Sequence, residues 1–126
     1  MPARDHALAA TAALDAWNMA FNRGDAAAVS RLYAPEARFL PATHQVIEGP
    51  AAVEAFFTPM LAQGVTGHTN ELVTSGSDGG LVYCGSRWTV RVPKEGGATE
   101  TASGFATHVF RRDADGSLKI LLHTFN

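Results

Sequence analysis

His108 and His123 stand on either side of a tight turn in the stretch "SGFATHVFRRDADGSLKILLHTFN". Imidazole is the side chain that changes charge near neutral pH, with an unperturbed pKa of about 6.5. Two imidazoles held face to face resist a second charge, so at least one stays neutral at pH 7. One can then act as general base while the other donates to a developing oxyanion. The plainer reading is a pair of satisfied polar groups in a half-buried cavity. A metal would need a third ligand, for which His44 is the only near candidate. The single cysteine, Cys84, excludes an internal disulfide and a cysteine-based zinc cluster, and reads as a small buried side chain. The expectation is no metal and no cofactor.

Whether the two histidines meet depends on the turn. With Asp115-Gly116 as a two-residue type I′ loop, Ala114 faces Ser117 and His108 lies opposite His123. Their Cβ atoms would then be roughly 4.5–5.5 Å apart on one sheet face. A three-residue loop, Ala114-Asp115-Gly116, with Gly116 as a bulge pairs His108 with Leu122 instead and sends the histidines to opposite faces. Turn chemistry leaves both open.

Periodicity gives the elements that must carry these residues. Residues 5–22 read as a helix with Leu14, Trp17, Ala20 and Phe21 on one stripe. Gly24 stops it, and Asp25 can cap a short second helix, "AAAVSRLY", with Val29, Leu32 and Tyr33 on one side and Pro35 at its end. "ARFLP" and "QVIEG" read as short strands. Pro50 suits the first turn of a third helix carrying Val53, Phe56, Phe57 and Met60, which Pro59 kinks or shortens. Strands are expected over 66–75, 81–92, 99–112 and 118–125, joined by "SDGG", "KEGG" and "DADG". Helices followed by an antiparallel meander indicate an α+β domain, with the helices packed on one sheet face.

In "LVYCGSRWTVRV", Val82, Cys84, Trp88, Val90 and Val92 should face the helices, and Tyr83, Arg87, Thr89 and Arg91 the other side. The last strand is apolar on both faces. A sheet of that kind has a partner on each, here helices on one and a second subunit on the other. His6 and His68 read as solvated, and Glu48 and Glu54 as charges at a helix start.

The chain has 126 residues, which suits a single domain over 1–126. An apolar fraction of 46% and a charged fraction of 17% describe a folded rather than disordered chain. A formal charge of −2 with scattered Lys and Arg gives no footprint for nucleic acid. No apolar run is long enough to span a bilayer, and acidic residues interrupt "MPARDHALAATAALDAW", which reads as a cytoplasmic start rather than a signal peptide.

The stretches "WNMAFNRGDAAAVSRLYAPEARFLP", "VIEGPAAVEAFF" and "HVFRRDADGSLKILLHTFN" resemble the SnoaL-like and ketosteroid-isomerase-like branch of the nuclear-transport-factor-2-like superfamily. The resemblance implies a cone, in which a strongly curved antiparallel sheet and three helices enclose a pocket, and a homodimer formed through the outer sheet face. It implies that Trp17, Phe21, Tyr33, Phe39, Phe56, Met60, Trp88 and Phe125 wall the pocket. It also sends His108, Leu121, His123 and Phe125 inward, which favours the register that brings the histidines together. The positions matching the isomerase base, donor tyrosine and protonated aspartate are Pro41, Trp17 and His108. None of these does the matching task, so steroid isomerisation is not expected. The reading is a cone for a small hydrophobic or aromatic molecule, serving proton-transfer, cyclisation or hydration chemistry through His108 and His123, or binding alone.

Overall fold

The computed structural model describes residues 4–126. Helix α1 (Arg4–Asn22) buries Ala10, Leu14, Trp17, Ala20 and Phe21 along one stripe, as its periodicity requires. Helix α2 (Ala26–Ser30) starts at Asp25, whose carboxylate accepts from the Ala28 N–H at 2.9 Å. It is shorter than periodicity predicts. Tyr33 is not helical but opens strand β1 (Tyr33–Leu40). The reason is tertiary: the Leu32 carbonyl accepts from the Ile120 N–H at 2.9 Å, which commits the chain to the sheet. Pro35 does not end a helix either. It lies within β1 where the ladder jumps from Tyr33↔Ile120 to Arg38↔Leu122, a break that tolerates a residue without an N–H.

Strand β2 (Ile47–Glu48) is followed by helix α3 (Pro50–Ala62), which runs on past Pro59 for another three residues. Gly49, at φ 84°, makes the turn into it that an L side chain would strain. Four long strands follow: β3 (Thr66–Asp78), β4 (Leu81–Pro93), β5 (Thr99–Arg112) and β6 (Leu118–Phe125). They form one curved, open sheet in the order β2-β1-β6-β5-β4-β3. The sheet is mixed rather than wholly antiparallel, because β1 runs parallel to β6. The long connection through α3 and the meander supplies the crossover that a parallel pair needs. The helices cover its inner face, and the core forms between the two layers.

The β5–β6 hairpin reaches the expected histidine pairing by an unexpected route. The Asp113 N–H donates to the Ser117 carbonyl at 2.8 Å, and Gly116 sits at φ 87°. The loop is therefore Ala114-Asp115-Gly116, the three-residue alternative. The ladder continues through Arg112↔Leu118 and Phe110↔Ile120, a register that would pair His108 with Leu122. A bulge at Leu121 then shifts it by one, giving Val109↔Leu122 and His108↔His123. Ile120 and His123, three apart, thus both face inward, at 3% and 5% exposure.

Candidate functional site: an aromatic cavity with three imidazoles

A cavity of about 510 Å³ opens between α1, α3 and the inner face of β3 to β6. That is within the size range of small-molecule sites. Of the aromatic and apolar side chains expected in its wall, Trp17, Phe21, Phe56, Met60, Trp88 and Phe125 line it, together with His108 and His123. Three expected wall residues do not. Leu121 is the bulge residue, so its side chain leaves the inward alternation. Tyr33 and Phe39 are buried behind His123, where Phe39 stacks on the imidazole at 4.6 Å and 23°.

Tyr33 has a sharper role than wall residue. Its hydroxyl oxygen accepts from the Trp17 Nε1–H at 3.1 Å and lies 2.8 Å from His123 Nδ1. An indole N–H only donates, so the Tyr33 oxygen is an acceptor there. The Tyr33 proton then has one buried partner, His123 Nδ1. The reverse arrangement leaves a buried hydroxyl proton unpaired, at about 1–3 kcal/mol. Neutral His123 therefore carries its proton on Nε2. Burial drives the Tyr33 phenol well above its usual range, although the Trp17 bond partly opposes this, so the chain of donors keeps its direction at neutral pH.

His108 and His123 stack with ring centroids 4.0 Å apart and planes 20° apart. Burial pushes His108 down to about 3, helped by the nearby His68. Burial, then the neighbouring His108 and His68, hold His123 well below its ordinary value. Both are neutral at pH 7. His108 Nδ1 and Trp88 Nε1 are buried with no hydrogen-bond partner among the described residues.

His68, expected in solvent, lines the cavity instead. Burial pushes it down to about 4. Two side chains of α1 hold it there. Asn22 donates to the His68 carbonyl at 3.0 Å and accepts from its N–H at 2.7 Å. The Asn18 amide oxygen lies 2.7 Å from His68 Nδ1 and also accepts from Asn70 at 2.9 Å. The signal in the sequence was "HTN" at the start of β3: His68 and Asn70 are polar at alternate positions on the face that packs against α1. His44 does not join the imidazoles. It is exposed in the β1–β2 loop, and no group of three metal-ligating side chains forms among the described residues.

The family model for the SnoaL-like domain matches residues 14–123. The chain belongs to the SnoaL-like domain family. Its fold is that of the nuclear-transport-factor-2-like superfamily. Aln2 from a Streptomyces species is similar at 21% identity and a TM-score of 0.83, over 100% of this chain and 93% of that one. An NTF2-like protein with a cystatin-like fold from Novosphingobium aromaticivorans is 16% identical at a TM-score of 0.81, over 96% of this chain and 80% of that one. A ketosteroid isomerase-like protein from Erwinia carotovora atroseptica is 17% identical at a TM-score of 0.81, over 94% and 92%. At these identities the likeness is one of fold. The search of curated proteins returned no match. In this SnoaL-like domain Pro41 is buried just beyond β1, and the Trp17 N–H is already committed to Tyr33. No described helix is long and apolar enough to cross a membrane.

Proposed function

We propose that this SnoaL-like domain takes a small, largely aromatic molecule into the cavity and holds its polar end against His123 and His108. The observation that carries the reading is the Trp17–Tyr33–His123 relay at the floor of an aromatic cavity. A core built only for stability has no need to fix the tautomer of an imidazole that lines an open space. A histidine pushed down to about 3 is a weak base at pH 7, so the pair serves as neutral hydrogen-bonding groups. In a reaction they would stabilise a developing oxyanion, in the manner of proton-transfer, cyclisation or hydration chemistry. In a binding protein they would orient an oxygen. Steroid isomerisation is not part of the proposal.

The test is titration with neutral bicyclic aromatics, read by quenching of the protein's two tryptophans, Trp17 and Trp88, both in the cavity wall. Saturable quenching that His123→Leu weakens supports the reading. No binding at millimolar concentration refutes it. The proposal includes a second copy of the chain on the outer sheet face, where Tyr83 is 48% and Phe105 51% exposed, with Arg87 over the Phe105 ring at 5.2 Å. Light scattering at micromolar concentration should return twice the 13.3 kDa chain mass, and Tyr83→Asp should lower it.

A further inference from the structure

We infer that the cavity selects an uncharged molecule carrying an oxygen acceptor at one end and a hydroxyl donor at the other. The inference rests on the aromatic-cavity reading above and adds the polarity of its ligand. Two separate hydrogen-bond relays set that polarity, one on each side of the cavity.

At β6 the relay through Tyr33 leaves His123 with its proton on Nε2, so it presents a donor. At β3 the relay runs the other way. Ser86 donates to the Asn70 amide oxygen at 3.1 Å, and Asn70 donates to the Asn18 amide oxygen at 2.9 Å. An amide oxygen only accepts, so His68 must donate to it from Nδ1 at 2.7 Å. The Nε2 of neutral His68 is then a bare acceptor. β3 and β6 are three strand steps apart in the sheet, and both imidazoles pack on the same indole, Trp17, at 4.7 and 6.1 Å between ring centroids. A ligand lying along Trp17 meets an acceptor near β3 and a donor near β6.

Charge completes the selection. No Asp, Glu, Lys or Arg lines the cavity among the described residues. The three imidazoles stay neutral at pH 7.5, with His68 down to about 4, His108 to about 3 and His123 well below its ordinary value, chiefly through burial. A carboxylate would enter without a counter-ion, which is costly in a poorly solvated site. A ketone, ester or lactone oxygen accepts from His123 instead, and a phenolic hydroxyl donates to His68.

Isothermal titration at pH 7.5 with three probes of one shape tests this: methyl 6-hydroxy-2-naphthoate, 6-hydroxy-2-naphthoate and methyl 2-naphthoate. The hydroxy ester should bind at least about ten-fold more tightly than the carboxylate, and about five- to ten-fold more tightly than the ester lacking the hydroxyl. His68→Phe should abolish the second advantage, so that the two esters bind within about two-fold of each other, while a cooperative urea transition shows an intact fold. Should that variant not fold, 15N NMR of the wild-type imidazoles decides, with His68 protonated at Nδ1 and His123 at Nε2. A carboxylate that binds as well as the hydroxy ester, a hydroxyl without effect, or the opposite tautomers would overturn the inference while leaving the aromatic cavity standing. Failure of all three probes at millimolar concentration would overturn both.

Discussion

Lowering the pH from 7 to 5 should unfold this domain, and the three cavity imidazoles set the size of the effect. In the unfolded chain a histidine takes up a proton near pH 6.5. In the folded chain His68 does so near 4 and His108 near 3, and His123 is held well below its ordinary value, all chiefly by burial. The unfolded state therefore binds more protons everywhere between those values and 6.5. The penalty is absent above pH 6.5, grows as the pH falls through it, and stops growing only at each folded pKa. His68 and His108 each contribute about 1.36 kcal/mol per pH unit, so about 2 kcal/mol between pH 6.5 and 5. Repulsion between His108 and His123 acts only once one is charged, so in this window His68 and His108 add to about 4 kcal/mol, a large part of the stability of an ordinary domain, and His123 acts in the same direction. The carboxylates lowered in the folded state, Asp25, Glu36 and Asp115, start from ordinary values of 3.8 to 4.5 and add their effect only below this window. Urea titrations at half-unit steps from pH 7.5 to 5 would measure the slope. A stability that changes by less than about 1 kcal/mol across that range would mean that the imidazoles are solvated and that their tautomers are not fixed.

Tyr33→Phe removes the hydroxyl between Trp17 and His123 and leaves two buried polar groups unpaired, so it should cost about 1–3 kcal/mol for each in chemical denaturation. His108→Phe removes a buried nitrogen that has no partner among the described residues and one titrating group. The variant should be at least as stable as the wild type at pH 7 and visibly more stable at pH 5.5, by the same titration. Asn18→Leu strips His68 Nδ1 of its acceptor and should shift the His68 15N signals toward the other tautomer without moving those of His123. A β,γ-unsaturated 3-ketosteroid should not turn over above the buffer rate, because Pro41 offers no titratable group where the isomerase base would stand.

Much of the fold was legible because its signals were local. The Leu14–Trp17–Phe21 stripe, the Asp25 cap, the Pro50 helix start and the alternation through β4 each depend on neighbours within a few residues. The misreadings share a cause in pairing across long sequence separation. Tyr33 continues a helical stripe in the sequence but is drawn into the sheet beside Ile120, and nothing near it announces a parallel partner 87 positions away. His68 looked solvated because it lies among polar residues. Its burial depends on Asn18 and Asn22, 50 and 46 residues earlier on α1. The turn alone left the histidine pairing open: the loop is one residue longer than a type I′ turn, and the bulge at Leu121, far from it in the strand, restores the pairing.

That bulge separates two properties of the hairpin that usually travel together. Removing Leu121 would leave Leu122 opposite Val109 and His123 opposite His108, with Ile120 and His123 still on one face as ordinary alternate neighbours. The residue is thus dispensable for deciding which side chains meet. What it contributes is the local bend and added twist that a bulge imposes on its strand. The depth of the cup and the identity of the groups at its floor are therefore independently adjustable. A chain shortened by this one residue should keep its imidazole stack and lose its fit to the ligand, so the shape of the container can drift while the chemistry inside it stays in place.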